Sequence, residues 1–282
     1  MVIIDVEQNF AMTKKAMSAE AVMMHPKLNV IALRAKKDTS TTTLIQVFDL
    51  TSKKKLKDTE ITEPIVFWRW INDTKIGLVT QTAVYHVDLQ NEHSPPRKVF
   101  TREANMSSSQ IIGYSVDYEE KWCSLCGIAQ ATGGGIVGNM QLHFTEASQN
   151  QAVQAYISCF VNMQLVDPSY KTKAVVFIER KHTETGMKIH VMEIGKPKEG
   201  MTKFRKNGEF STPPEAAADF PLAIQPSETN GVAFIITKMG YLYIFELSTC
   251  SLLFRNRVSE TLIFQTVRNT KTDGMLGVNR NG

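Results

Sequence analysis

Two cysteines three residues apart, Cys123 and Cys126 in "CSLC", have the spacing of a dithiol redox centre or of half a zinc site. A structural zinc takes about four ligands, and neither a second cysteine pair nor an H-x-H cluster lies nearby. The surrounding residues read as a strand, where positions three apart point to opposite faces. The two thiols then diverge, and burial is their expected fate. "GGGIVG" at 133–138 has the letters of a dinucleotide-binding loop, but that chemistry needs a helix N-terminus to hold the pyrophosphate. A strand, "MQLHF", follows instead, so the segment reads as a hairpin loop. The six histidines (25, 86, 93, 143, 182 and 190) form no H-E-x-x-H pair, and there is no G-x-S-x-G elbow. No metal, no cofactor and no catalytic set is expected.

"QVFDLTSKKKLKDTEI", residues 46–61, offers binding chemistry instead. Leu44, Gln46, Phe48 and Leu50 share one face of a strand by period-two alternation, and Ile45, Val47 and Asp49 take the other. Lys53, Lys54, Lys55 and Lys57 follow, with Leu56 between them. Lys53 and Lys55 are expected on one face of the next strand. Two readings stand side by side: a solvated edge, or a groove with an apolar floor and a basic rim. The groove would suit an extended peptide that places apolar residues on Phe48 and a carboxylate near the lysines.

The elements that must carry such a face repeat along the chain. Strand-turn-strand units begin at residues 30, 75, 121, 173 and 231, spaced 45, 46, 52 and 58 residues apart. A hairpin recurring at roughly 40–50 residues is the signature of propeller blades, each a four-stranded sheet. No segment carries a helical period over the ~11 residues a helix normally needs. "VIIDV" at 2–6 matches the second strand of the unit, as in "QVFDL" and "YHVDL", and "MLGVNRNG" at 275–282 matches its first strand and turn. The chain is thus read as one all-β domain over 1–282, a seven-bladed propeller with incomplete first and last blades. A sandwich of hairpins is the alternative architecture.

Composition agrees with a soluble globular protein: 282 residues, 43% hydrophobic and 21% charged. A formal net charge of +4 is well short of a dedicated nucleic-acid binder, so no nucleic-acid partner is expected. Four cysteines without a disulfide-framework spacing point to a reducing compartment. The N-terminus has no basic n-region or long apolar core, and no stretch approaches the ~18 apolar residues of a membrane span. The expected address is the cytosol.

Eleven short motifs, among them "VIIDV", "SAEAVMMHP", "QVFDLTSKKKLK", "VFWRWI", "SQIIGY", "PPEAAADFP", "ITKMGYLYIFEL" and "GVNRNG", occur in order from residue 2 to 282. Together they resemble the N-terminal domain of the clathrin heavy chain family. The resemblance implies a seven-bladed propeller, from which this chain lacks roughly 45 residues at the start and the end of the last blade. It implies a non-enzymatic vesicle-coat protein whose propeller captures short apolar-acidic motifs of adaptor and accessory proteins in vesicle transport and endocytosis. It also implies trimerisation with other heavy chains and binding of light chains through regions absent here, with contact to coated-pit membranes only through adaptors. By motif alignment, the groove between the first two blades draws on Ile31 and Phe48 for apolar pockets and on Gln46 for the peptide backbone. Lys53 and Lys55 meet the acidic end. Leu44 stands where threonine is usual, Lys15 where arginine is usual and Thr13 where isoleucine is usual, so the charge is kept and an apolar wall is reduced. A second groove has Ala147 at its arginine position, which leaves Gln151 alone. A third, in the central top cavity, draws on Gln110, Ile112 and Ile128. A generic cytosolic propeller scaffold is the alternative function, although the Gly-His and Trp-Asp dipeptides of WD40 blades are missing.

Overall fold

Runs such as "KAVVFIE" are apolar at consecutive positions, which in a strand demands burial on both faces. Stacked sheets meet that demand. The computed structural model describes residues 2–5, 9–14, 16, 18–37, 41–132, 134–180, 186–268 and 273–281. Its strands form antiparallel sheets that follow the chain order. Strands β1 (Val2–Asp5) and β2 (Ala11–Lys14) make a two-stranded ribbon. The first four-stranded sheet holds β3 (Ala21–Met24), β4 (Val30–Lys36), β5 (Thr43–Asp49) and β6 (Lys55–Ile61). The next holds β7 (Ile65–Trp70), β8 (Lys75–Thr80), β9 (Ala83–Asp88) and β10 (Arg97–Thr101). The third holds β11 (Gln110–Val116), β12 (Trp122–Gln130), β13 (Ile136–Phe144) and β14 (Gln149–Val153). The fourth is β15 (Ala155–Met163), β16 (Thr172–Glu179), β17 (Gly186–Glu193) and β18 (Arg205–Ser211). The fifth is β19 (Pro221–Ser227), β20 (Val232–Thr237), β21 (Tyr241–Glu246) and β22 (Leu252–Arg257). A ribbon of β23 (Ile263–Arg268) and β24 (Met275–Asn279) closes the series. Each repeated hairpin of the sequence is the central pair of one sheet. The only helices among the described residues are a four-residue turn at Ala104–Ser107 and a three-residue 3-10 turn at Pro214–Ala216.

Among the described residues this β-propeller has five four-stranded blades and two two-stranded ribbons, one before and one after them in the chain. Each complete blade packs its apolar face on the next. Val30, Ala32, Ile45 and Val47 meet Trp70, Ile76, Leu78 and Val87. Val79, Val84 and Phe100 meet Ile111, Tyr114 and Leu125. Met140 and Leu142 meet Phe160, Val175 and Phe177, and Val176, Ile178 and Val191 meet Ile235, Tyr243 and Phe245. Strand β16 therefore feeds alternate residues into two different cores, as its unbroken apolar run requires.

Polar groups also bridge the blades. Arg102 donates to the carbonyls of Thr80 (2.8 Å), Met106 and Ser109 from a nearly buried position. Gln141, fully buried, donates to the Thr101 carbonyl (2.9 Å) and accepts from the Glu103 N–H (2.8 Å). His86 on β9 shares a 2.7 Å hydrogen bond with Tyr114 on β11, and burial pushes its imidazole down to about 4. Gly77 and Gly138 mark where backbones close in. A Cβ on Gly77 would lie 2.8 Å from the Tyr114 ring, and one on Gly138 would lie 2.6 Å from the Ala155 carbonyl.

Two outcomes follow from this packing. Gly138→Ala is expected to cost roughly 1–3 kcal/mol, because the obstacle is backbone of the neighbouring blade. Gly113→Ala, whose nearest neighbour would be Cys126 Cβ at 3.7 Å, serves as the mild comparison in thermal melts. His86 is held neutral in the folded state, with a pKa below its unfolded value. Its contribution is complete above pH ~6.5 and is lost as pH falls toward 4, about 3 kcal/mol in all. Stability measured by denaturant at pH 7, 5.5 and 4.5 is expected to fall less steeply in His86→Gln than in the parent.

Candidate functional site

The β3–β6 sheet has two unlike faces. Ile45 and Val47 are fully buried against the following blade, while Leu44, Gln46 and Phe48 on the opposite face are half-buried. The alternation read from the sequence is the one present. Phe48 stands opposite Ile31 on one side and Lys55 on the other, and Gln46 stands opposite Leu33 and Asp58. A register shift between Val47 and Phe48 brings Lys55 alongside the phenyl ring. Val22 and Met24 of β3 extend the same face and are about half exposed, at 43% and 47%. The result is an open apolar strip crossed by one amide and bounded by lysines.

Ile31 is only 2% exposed, so it underlies Phe48 and does not line an open pocket. Lys53 is not on the strand. Asp49 Oδ1 accepts from the backbone N–H of Thr51 (2.8 Å) and Ser52 (3.2 Å), folding a tight turn in which Lys53 takes φ +57°. Lys53 and Lys54 are exposed in this turn, before β6 begins at Lys55. Lys57 leaves the basic rim altogether. It is fully buried and donates to the carbonyls of Asn91 (2.5 Å) and Ser94 (2.7 Å) in the next blade. Burial lowers its ammonium pKa.

Sequence reasoning missed Asp58. Its Oδ2 accepts from Lys55 Nζ at 2.5 Å and from Gln46 Nε2 at 3.3 Å. The Lys55 hydrogen bond is the main force holding this carboxyl below its ordinary range, with Gln46 adding to it. The two polar groups expected to receive a ligand thus already share one internal carboxylate. Its signal in the sequence was "KDTE", whose acid falls directly opposite Gln46 once the β5–β6 register is set.

The other predicted positions are less assembled. Gln151 is exposed on β14, and Ala147 lies in the preceding turn, where Glu146 pairs with Lys121 at 2.9 Å. Gln110 and Ile128 face each other across β11 and β12, and Ile112 joins Ile128 against the neighbouring core. Gln110 is exposed, and Ile112 and Ile128 beside it are half-buried on the inner strands. Lys15, Gly133 and His182 lie outside the described residues. Cys123 and Cys126 enter different cores, as the strand spacing demanded, and burial pushes their thiols up to about 12 and about 11. Gly134 and Gly135, at φ +93° and +89°, turn the β12–β13 hairpin, so "GGGIVG" is a loop between strands.

No family model matches the chain. Whole-chain relatives are nonetheless plain. The probable clathrin heavy chain 1 of Caenorhabditis elegans is 35% identical over 283 residues, covering all of this chain and 16% of that protein. Clathrin heavy chain of Drosophila melanogaster is 34% identical over 283 residues with the same coverage, and clathrin heavy chain 2 of Homo sapiens is 34% identical over 281. The chain spans about one sixth of the length of these relatives. Among solved structures, KlHsv2 with an altered loop superposes with a TM-score of 0.55 at 9% identity, covering 93% of this chain and 74% of that one. Kuenenia stuttgartiensis hydrazine synthase gives 0.53 at 12% identity, covering 99% and 88%. At such identities these two show likeness of fold alone.

The Asp58 contact can be measured directly. Because its hydrogen bond to Lys55 leads the downward shift, Lys55→Ala is expected to move the Asp58 carboxyl up toward the ordinary carboxylate value. Gln46→Ala should move it less. Carboxyl-carbon NMR titration reads both; an Asp58 that titrates identically in Lys55→Ala contradicts the contact.

Proposed function

The chain belongs to the clathrin heavy chain family, and we propose that it is the motif-capturing propeller of a vesicle-coat protein on the cytoplasmic face of coated membranes. In this reading an extended segment of an adaptor or accessory protein lies along the Val22–Phe48 face of the β3–β6 sheet. Its apolar side chains cover Phe48 and Leu44, Gln46 bonds its backbone, and its acidic end meets Lys53 and Lys55. The observation that supports it most is the half-buried Gln46–Phe48 face beside Lys55, on a sheet whose opposite face is closed. Binding needs no cofactor and no bond-making step, so the module is a non-enzymatic one. The Gln110–Ile112–Ile128 patch is a subsidiary contact in the same reading, and Gln151 is a weaker one because Ala147 stands at its arginine position. Trimerisation and light-chain binding belong to other parts of the full-length relatives.

Asp58 makes the reading specific, because a ligand carboxylate must displace an internal one. A synthetic peptide with leucines at alternate positions and a terminal aspartate is the probe. Phe48→Ala is expected to weaken its binding about 5–30-fold, the equivalent of ~1–2 kcal/mol of lost apolar burial. Lys53→Glu with Lys55→Glu should weaken it comparably at low salt and less at high salt, since both groups are exposed. Asp58→Asn should tighten it. Calorimetric titration with circular dichroism of each variant decides the matter; unchanged affinity in folded Phe48→Ala removes the groove from this face.

A further inference from the structure

A polar cleft lies between β18 and β22, the outer strands of two adjacent blades. Its volume is about 570 Å³, within the range of ligand-binding sites. One wall is the segment 212–215 that follows β18 and ends in Glu215; the other is Tyr241 of β21 with Arg255 and Arg257 of β22. Strand pairing sets Arg257 opposite Tyr241 and Arg255 opposite Tyr243, so the two arginines and two tyrosines share one face. That face looks back at the preceding blade, where the Tyr243 ring meets Phe210 of β18 at 5.2 Å between centroids.

Most groups of the cleft are already fixed by internal partners. Pro213 and Pro214 stiffen the connecting segment. Arg180 ties down the turn after it, donating to the carbonyls of Ala217 and Asp219 at 3.1 Å each. Arg257 lies over the Tyr241 ring, 5.6 Å from its centroid, and donates to the carbonyls of Ser259 and Glu260 at 3.1 Å each. Tyr241 donates its hydroxyl to Glu215 Oε1 at 3.0 Å. Arg255 is the exception. It is exposed, and it makes no hydrogen bond or ion pair among the described residues. Tyr243, which it faces, is fully buried, and its hydroxyl also has no hydrogen-bond partner among them. A preorganised cleft therefore holds a guanidinium fork and no internal acceptor for it.

We propose that this cleft binds an acidic side chain of an extended peptide, its carboxylate forked on Arg255 with Arg257 as the second cation. The charges match such a ligand. Two guanidiniums stand against one carboxylate among the described lining residues, so a single acidic group brings the cleft to neutrality. The planar fork of arginine suits a carboxylate better than a lysine does. Glu215 shows that the site favours an anion. A hydrogen bond from its own backbone leads the forces that hold its carboxyl below the ordinary range, Tyr241 follows, and both arginines add to them. Glu215 also limits affinity, because it repels the incoming acid. The site rests on its own residues and is separate from the β3–β6 face.

The probe is a blocked peptide, Ala-Val-Asp-Val-Ala, with Ala-Val-Asn-Val-Ala as its uncharged counterpart. NMR titration of the 282-residue chain follows the Nε–H resonances of Arg255 and Arg257. Both are expected to shift with the aspartate peptide and neither with the asparagine peptide. Arg255→Gln should weaken binding roughly 10-fold, and Arg255→Lys, which keeps the charge and loses the fork, should weaken it less. Glu215→Gln should tighten it. Lys98→Gln, an exposed change on β10, measures the general attraction of an acid to a basic protein and is expected to leave the affinity unchanged. Equal binding of the asparagine peptide would overturn the proposal. So would a loss in Lys98→Gln as large as in Arg255→Gln, or shifts confined to the β3–β6 face.

Discussion

Burial of both faces of each central hairpin is the constraint on which everything else here depends. A strand such as β16, apolar at consecutive positions, cannot rest in a two-layer structure that wets one side. Only a sheet on each flank satisfies it, and every such sheet brings a second hairpin with the same need. Stacking therefore propagates from β3–β6 through β19–β22, each core cluster shared by two sheets. The inner strands are fixed by this demand, whereas the outer strands are not. Strand β14 is polar and almost wholly exposed, and β22 is exposed at every residue. A face that relaxes from core to surface within a few residues is what a binding groove needs, and the fold supplies it wherever an outer strand begins.

Polar contacts tune how the blades meet. Lys57, Arg102 and Gln141 each reach from one blade into the backbone of another or of a connecting turn. Each donates to backbone carbonyls and so fixes the orientation of the loops it reaches. Lys55 is a different case. It lies two residues before Lys57 on the same strand, yet its ammonium is near the surface and is held by Asp58. Two residues apart, Lys55 and Lys57 would share a face of a regular strand, but the irregularity between them turns them to different sides, so one becomes a structural bolt and the other a rim charge. The register shift at Val47/Phe48 decides which is which.

The repeated hairpins were legible in the sequence because alternation and turn residues act locally. All five central pairs fall where the units were read, and the divergent directions of Cys123 and Cys126 followed from the strand period alone. First and fourth strands were harder, since a polar strand such as "QNQAV" at 149–153 has no apolar pattern to betray it. At the site, the shared face of Leu44, Gln46 and Phe48 was legible for the same local reason. Lys53 was placed on a strand because the Asp49 turn, an interaction of side chain with backbone, leaves only a faint mark in "DLTSK". Lys57 was counted with the rim because its partners are 34 and 37 residues away. Asp58 was passed over because its role arises only once β5 and β6 are set in register.

The groove and the ends of the sheet series are linked by the same constraint. Of the complete blades, only β3–β6 and β19–β22 lack a complete sheet on one flank. The residues left half-covered there are Leu44, Gln46 and Phe48 on one, and Phe234, Leu242 and Ile244 on the other. The difference between the flanks lies in their chemistry. Phe234, Ile244 and Phe254 present hydrocarbon, which favours permanent cover, whereas Gln46 with Lys55 and Asp58 presents groups that are better left solvated. The two flanks thus differ in kind, one an apolar face and the other a strip of mixed apolar and polar groups.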